Sequence, residues 1–326
     1  MTVDSPRRIL MLGATGTIGR ATTAALVARG HQVVCFLRPP GSGQRPDLPD
    51  GVEIRFGDVS DPAAPARDGF QGERFDAVVS CMASRTGVAR DAWAIDHQAH
   101  IHVLEAARVA GVRQMVLLSA ICVQKPLLAF QQAKLAFEAE LMRSGLTWSI
   151  VRPTAYFKSL SGQVERVRAG KPYLIFGDGA LTACKPISDA DLATYLADCL
   201  DDPARHDRIL PIGGPGPAMT PRQQGEALFA LFGREPKFSR VPPALLDVIA
   251  GTLGLAGRVL PALAAKAELA RIGRYYATES MLVLNPDTGL YDADATPEFG
   301  TETLADYQAR LVRGEASLDR GAQAVF

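Results

Sequence analysis

The chain reads as α/β: a doubly wound parallel sheet joined to a smaller, mainly helical second domain. Three observations carry that reading. Short runs that are apolar throughout alternate with helical runs over the first two-thirds of the chain, which is the pattern of parallel strands buried on both faces. The first such run enters a glycine turn, Gly13-Ala14-Thr15-Gly16-Thr17-Ile18-Gly19, that leads directly into a helical run. The 326 residues exceed one typical domain.

The first strand is Ile9-Leu10-Met11-Leu12, and the helix after the turn covers 20–29. Strand, tight turn and helix N-terminus make a pyrophosphate site of the Rossmann type. Gly13 permits the turn, Gly16 lets backbone amides come close to phosphates, and Gly19 lets the helix pack on the sheet. Thr15, Thr17 and Ile18 complete the turn, whose free amides and positive helix end favour an anion. Further strands are expected at 31–37, 52–56, 76–81, 115–119 and 147–151, with helices at 94–110 and 130–144, and 208–212 joins the same sheet. The nucleotide-binding domain is therefore drawn over 1–155 plus about 176–214. A substrate domain covers about 156–175 plus 215–300, where Pro, Gly and Ala/Leu-rich helices increase. A C-terminal helix and tail fill 301–326, loosely held from Gly314. Residues 39–49, rich in Pro, Gly and Ser, read as a loop beside the cofactor. No internal repeat is visible.

Composition fits an enzyme core. Hydrophobic residues make up 47%, and 35 basic residues balance 35 acidic ones, so no global field attracts nucleic acid. Cys35, Cys81, Cys122, Cys184 and Cys199 are scattered and odd in number, as expected of reduced thiols in a cytosol-like compartment. The N-terminal apolar run is too short for a signal peptide. The most membrane-like stretch, 244–265, is interrupted by Asp247, Arg258 and Pro261 and falls short of a spanning helix. It is expected to be a buried helix pair; a membrane-surface contact and the lining of an apolar pocket are the alternatives.

The cofactor preference is read at the end of the second strand. An NAD site places a carboxylate there for the ribose hydroxyls; this chain has Arg38. A cation suits the extra phosphate of NADP, and Arg20 could assist it. The competing reading of Arg38 is a solvated strand end. By topology, Asp58-Val59 borders the adenine, and the small-residue stretch Cys81-Met82-Ala83 lets the adenosine ribose lie against the backbone.

These residues resemble the short-chain dehydrogenase/reductase superfamily in its atypical extended branch. More narrowly, they resemble the NADPH-dependent divinyl chlorophyllide 8-vinyl-reductase family. The matching blocks are 117–128, Phe130-Gln131, Ala133-Lys134, 151–160, Gly170-Lys171-Pro172-Tyr173, Phe176-Gly177-Asp178-Gly179, 184–189 and Asp191-Leu192-Ala193. The glycine turn is shared by the whole superfamily. Ser119-Ala120-Ile121-Cys122-Val123-Gln124-Lys125-Pro126 and Cys184-Lys185-Pro186-Ile187-Ser188 are far more specific. The likeness is clear over about 8–215 and fainter beyond.

The resemblance implies NADPH as cofactor and reduction of the 8-vinyl group of a divinyl chlorophyllide, or its protochlorophyllide, to ethyl. It implies a place in chlorophyll or bacteriochlorophyll synthesis, in the cytoplasm or peripherally at photosynthetic membranes. Members of the superfamily that reduce carbonyls carry a Tyr four residues before a Lys, and the Tyr protonates the forming alkoxide. Here Lys134 is present but position 130 is Phe, so the carbonyl mechanism is in doubt. Reduction of a carbon–carbon double bond forms no alkoxide and suits that departure. Lys134 is the catalytic candidate, expected to bind the nicotinamide ribose and to relay a proton; its other reading is a helix-surface lysine. Ser119 would order cofactor or substrate, and Arg152-Pro153-Thr154 closes over the nicotinamide side. The proton donor is unassigned among Lys134, Tyr156, Cys122 and water.

Cys122, Phe130, Tyr156, Phe157 and Lys158 are the substrate-binding candidates, with the aromatic rings able to stack on a flat macrocycle. Lys125, Lys158 and Lys185 could pair with a propionate, or be ordinary surface lysines. Ile187-Ser188-Asp189-Ala190-Asp191 reads as a helix-capping turn. His97, His100 and His102 do not complete a ligand set, so no protein-bound metal is expected and Mg²⁺ arrives within the substrate. Two other functions compete: an NADP-binding redox sensor or assembly factor without turnover, and a reductase of another conjugated alkene.

Overall fold

The computed structural model describes residues 5–40, 46–257 and 260–316. Residues 41–45 of the loop expected at 39–49, Arg258 and the tail from 317 lie outside the described residues. The chain divides into two compact units. The first holds the chain up to Ser84, then Ala89–Pro153 and Asp189–Leu210; the second holds Arg85–Val88, Thr154–Ser188 and the chain from Pro211.

The first unit is built on a seven-stranded sheet. Its strands are β1 (Arg8–Leu12), β2 (Gln32–Leu37), β3 (Glu53–Phe56), β4 (Ala77–Ser80), β5 (Gln114–Leu118), β6 (Thr147–Pro153) and, after an interruption, β8 (Arg208–Ile212), in the order β3-β2-β1-β4-β5-β6-β8. The pairs from β3 across to β6 are parallel. Every residue of β4 and β5 is buried, because helices cover both faces. These are α1 (Thr17–Ala28), α2 (Ala89–Ala92), α3 (His100–Val109), α4 (Ala129–Arg143) and α7 (Asp189–Asp198). The expected strands are present, displaced at their ends by one or two residues.

The helix expected at 94–110 is not uniform. Between α2 and α3, residues Trp93–Ala99 wind as a π-helix. One wide turn shifts the register of the side chains after it, and such turns favour functional positions. Asp96 sits in this turn and is buried.

The second unit contains α5 (Phe157–Leu160), α6 (Val164–Arg168), α8 (Pro221–Leu231), α9 (Ala244–Ala256), α10 (Pro261–Thr278) and α11 (Leu304–Arg313). Its strands are β7 (Tyr173–Phe176), β9 (Phe238–Val241), β10 (Val283–Leu284) and β11 (Tyr291–Asp292); β7 pairs parallel with β9, and β10 antiparallel with β11. Residues 85–88, 154–155, 176–188 and 211–214, drawn with the nucleotide-binding domain from the sequence, belong to this unit. Its core gathers Val164, Val167, Tyr173, Ile175, Leu228, Phe229 and Leu311, so α11 is packed in place. Thr303 caps α11 by accepting from the Asp306 amide at 3.2 Å.

The 244–265 stretch departs from expectation. It does form a helix pair, but only Ala250 of α9 is buried. Leu245, Val248 and Leu255 are 48%, 60% and 64% exposed, and their spacing puts them on one helix face. Hydrophobicity predicted burial, but α9 is supported along one side only. No helix among the described residues is long and apolar enough to cross a membrane.

Candidate functional site

The site begins where β1 and β4 lie side by side, at the point where the strand order reverses. Open α/β sheets bind ligands at such a crevice. Gly13 follows β1 with φ of +72°, and a Cβ there would lie 2.6 Å from the backbone of Cys81 and Met82, just after β4. A Cβ on Gly19 would lie 2.0 Å from the carbonyl oxygen of Gly13. Gly19 therefore lets α1 pack on the turn itself, a closer constraint than packing on the sheet. Gly16 differs: the nearest atom to its Cβ would be 3.4 Å away. Among the described residues no neighbour demands glycine there, so its missing side chain leaves open space beside the helix end.

That space suits an anion. Thr15, Gly16 and Thr17 are exposed, while Ile18 and Gly19 are buried beneath them. Helix α1 has no side-chain cap and no acidic residue in its first turn, and amides of a first turn lack helical acceptors. The turn thus fits a dinucleotide pyrophosphate.

Arg38 is exposed directly after β2. Arg20 is not equally available: Nη1 pairs with the exposed carboxylate of Asp47 at 2.6 Å. Asp58 uses a carboxylate oxygen to accept from the Ser60 amide at 2.9 Å, shaping its loop. Val59 is buried in the core, and its carbonyl lies 3.1 Å from Nδ1 of His102, so what it can offer a ligand is limited. The Cys81 thiol lies 3.7 Å from the Thr22 hydroxyl, and burial pushes its pKa up to about 12. It packs as a neutral group. Met82 is half-buried and Ala83 exposed.

Lys134 is no surface lysine. Its ammonium pairs with Asp96 Oδ1 at 3.0 Å, with side-chain exposures of 12% and 0%. The same oxygen accepts from the Ser84 amide at 3.2 Å. Asp96 Oδ2 is buried and has no hydrogen-bond partner among the described residues. A second buried group stands one helical turn along α4. Glu138 is 1% exposed; it accepts from the Ser119 hydroxyl at 2.5 Å and pairs with Arg152 through both oxygens. Ser119, which follows β5, is buried. Phe130, where a phenol would stand in a carbonyl reductase, is half-buried.

His100 and His102 are buried in the first unit, and His97 is half-buried. His100 lies 2.8 Å from the Ser80 hydroxyl and 2.9 Å from the Ile95 carbonyl, stacked against Phe137. Desolvation holds its pKa down at about 4. His97 packs on Trp93, and His102 contacts Gln98 as well as Val59. Among the described residues no group of three or more His, Cys, Asp or Glu could hold a metal ion.

The other candidates divide by burial. Cys122 and Phe157 are each 2% exposed, with Phe157 against Tyr307, so neither presents a surface to a ligand in this conformation. Tyr156 and Lys158 are half-buried. Pro153 ends β6. Thr154 is tied down, its amide to the Ile212 carbonyl at 2.9 Å and its hydroxyl to the Lys185 carbonyl. Lys185 is also not a surface lysine: it is buried and bonds Glu298 at 2.6 Å and the Thr296 carbonyl at 3.2 Å.

Residues 13–203 match the NAD(P)H-binding family model. The chain is 48% identical, over 99% of its length and 83% of the relative's, to divinyl chlorophyllide a 8-vinyl-reductase, chloroplastic, of Oryza sativa subsp. indica. It is 47% identical to the Arabidopsis thaliana protein of that name, over 97% of this chain and 79% of the relative. The chain belongs to the divinyl chlorophyllide a 8-vinyl-reductase family. Among solved structures, the NADPH-dependent quinone oxidoreductase QOR2 of Escherichia coli, complexed with NADPH, aligns with a TM-score of 0.67 at 20% identity, covering 93% of this chain and 99% of that one. That likeness shows the fold alone. Within this reductase chain, Asp96 and Glu138 are what sequence reasoning missed. The one available signal was Glu138 four residues after Lys134, a spacing usually read as a surface ion pair.

Proposed function

We propose that this chain reduces the 8-vinyl group of a divinyl chlorophyllide, or its protochlorophyllide, to ethyl. One vinyl group, one NADPH and one proton give one ethyl group and NADP⁺. The observation that carries the reading is 48% identity along 99% of the chain to an enzyme of that name. The absence of a phenol at Phe130 supports it independently, since no oxyanion forms when an alkene is reduced.

Bound NADPH supplies the hydride. The Gly13–Gly19 turn and the end of α1 hold the pyrophosphate, and Arg38 meets the 2′-phosphate. Asp58, Val59, Cys81, Met82 and Ala83 border the adenosine. Lys134, oriented and charge-compensated by Asp96, hydrogen-bonds the nicotinamide ribose and carries a proton. In the first unit Phe130, and in the second Tyr156 and Lys158, are the residues offered to the tetrapyrrole; Cys122 and Phe157 are buried beneath their own units' surfaces. Peripheral contact with photosynthetic membranes is also part of the proposal, supported by the exposed face of Leu245, Val248 and Leu255. Replacing all three by Glu should abolish co-sedimentation with anionic vesicles; unchanged sedimentation would remove that part.

Anaerobic incubation with NADPH and a divinyl chlorophyllide tests the reaction. A blue-shifted Soret band with matching NADPH loss supports it. Binding without oxidation would favour a sensor or assembly role, and oxidation only with other alkenes a different substrate.

A further inference from the structure

The buried group around Glu138 has a chemical consequence for Ser119. A carboxylate oxygen can only accept hydrogen bonds, and a serine hydroxyl has one proton to give. Ser119 Oγ lies 2.5 Å from Glu138 Oε1. Arg152 donates from Nε to the same oxygen at 3.2 Å and from Nη2 to Oε2. The guanidinium can only donate, so both carboxylate oxygens are engaged as acceptors and the Ser119 proton is committed inward. What Ser119 retains for a ligand is lone pairs. The Ser119 amide is also spoken for, bonding the Val151 carbonyl at 2.7 Å.

We propose that Glu138 is a positioning residue that makes Ser119 a hydrogen-bond acceptor only, and so selects against carbonyl substrates. The inference rests on the alkene-reductase reading above. Hydride addition to a carbonyl carbon leaves an oxyanion that needs a donor. With Phe at position 130 and the Ser119 proton given to Glu138, neither residue supplies one. Hydride addition to a vinyl carbon places no charge on oxygen, and the proton goes to the neighbouring carbon system, so the same arrangement costs that reaction nothing. Two features, one visible in the residue type at position 130 and one hidden in a hydroxyl's direction, thus withhold a donor from the same chemistry.

Glu138→Gln reverses the polarity. The amide offers one acceptor oxygen in place of two, and Arg152 Nη2, the closer of the two guanidinium donors, takes it; the NH₂ then stands at the Oε1 position toward Ser119 Oγ and releases the Ser119 proton. The experiment compares wild type, Glu138→Gln and Glu138→Asp with NADPH on two substrates: a divinyl protochlorophyllide and 4-nitrobenzaldehyde, which takes hydride and a proton to the alcohol. The aldehyde-to-vinyl ratio of kcat/KM should rise about tenfold or more in Glu138→Gln, since one oxyanion donor is commonly worth 10²–10³ in rate. Glu138→Asp, which keeps the carboxylate, should return to the wild-type ratio. A ratio that Glu138→Gln leaves unchanged, or that both variants shift alike, overturns the proposal. A neutron structure of the deuterated wild-type enzyme with NADP⁺ bound reads the hydroxyl directly and does not depend on any variant folding. Deuterium on Ser119 Oγ directed at Glu138 supports the assignment; deuterium directed elsewhere ends it. If wild type fails on the divinyl substrate while that deuterium points at Glu138, the reaction assigned above falls and the polarity of Ser119 stands.

Discussion

Lys134 Nζ lies 3.0 Å from Asp96 Oδ1, and the Asp96 side chain is wholly shielded from solvent. The pair joins α4 to the π-turn Trp93–Ala99, so the lysine's position depends on a helical irregularity that precedes α3 and β5 in the chain. Removing one partner strands a buried charge, which typically costs about 3–5 kcal/mol. Lys134→Ala should therefore lose turnover and also unfold at lower urea concentration. Unchanged turnover would take Lys134 out of the mechanism; loss of turnover with unaltered stability would show that the Asp96 pair contributes little to the fold.

The three glycines of the turn should separate by mechanism. Gly13→Ala and Gly19→Ala drive a Cβ to 2.6 Å and 2.0 Å from backbone atoms, so both should destabilise the fold by about 1–3 kcal/mol or more. Gly16→Ala meets its nearest atom at 3.4 Å and should melt like wild type while binding NADPH at least about tenfold more weakly, a loss of about 1.4 kcal/mol. Thermal melts and titrations with NADPH check both halves.

Arg38→Ala should weaken NADPH by about tenfold or more, as expected for a charge-assisted phosphate contact, and leave NADH nearly unaffected. Equal losses for the two coenzymes would reject the phosphate role. Because Asp47 occupies Arg20, Asp47→Ala should tighten NADPH modestly, an effect that fades in high salt.

Acid stability should carry the signature of His100. Its pKa is 6.5 in the unfolded reference and about 4 in the fold. The unfolded chain binds the extra proton between those values, so stability falls as pH drops from 6.5 toward 4 and levels off below. The loss is on the order of 3 kcal/mol at about 1.4 kcal/mol per pH unit. His100→Asn should flatten denaturation midpoints across that window; an unchanged pH slope would assign the acid loss to other groups.

How much of this was legible in the chain follows from where the information sits. The glycine turn and the strands were legible because they are local: an apolar run such as Met115-Val116-Leu117-Leu118 leaves few options besides a buried strand. Asp96 and Glu138 were not, because their meaning depends on contacts with Lys134, Ser119 and Arg152 far along the chain. The π-turn that carries Asp96 has no composition signature. α9 misled in the opposite direction: Leu, Val and Ala argued for burial, yet burial needs a covering partner, and among the described residues only Ala250 of α9 is buried.

Deuterium tracing tests the central claim most directly. With NADPH carrying deuterium at both C4 positions of the nicotinamide and a divinyl protochlorophyllide held anaerobically, the account predicts a product heavier by one deuterium in the new 8-ethyl group, formed one for one with NADP⁺. Coenzyme that binds but stays reduced, or a tetrapyrrole recovered with its vinyl group intact, would contradict it.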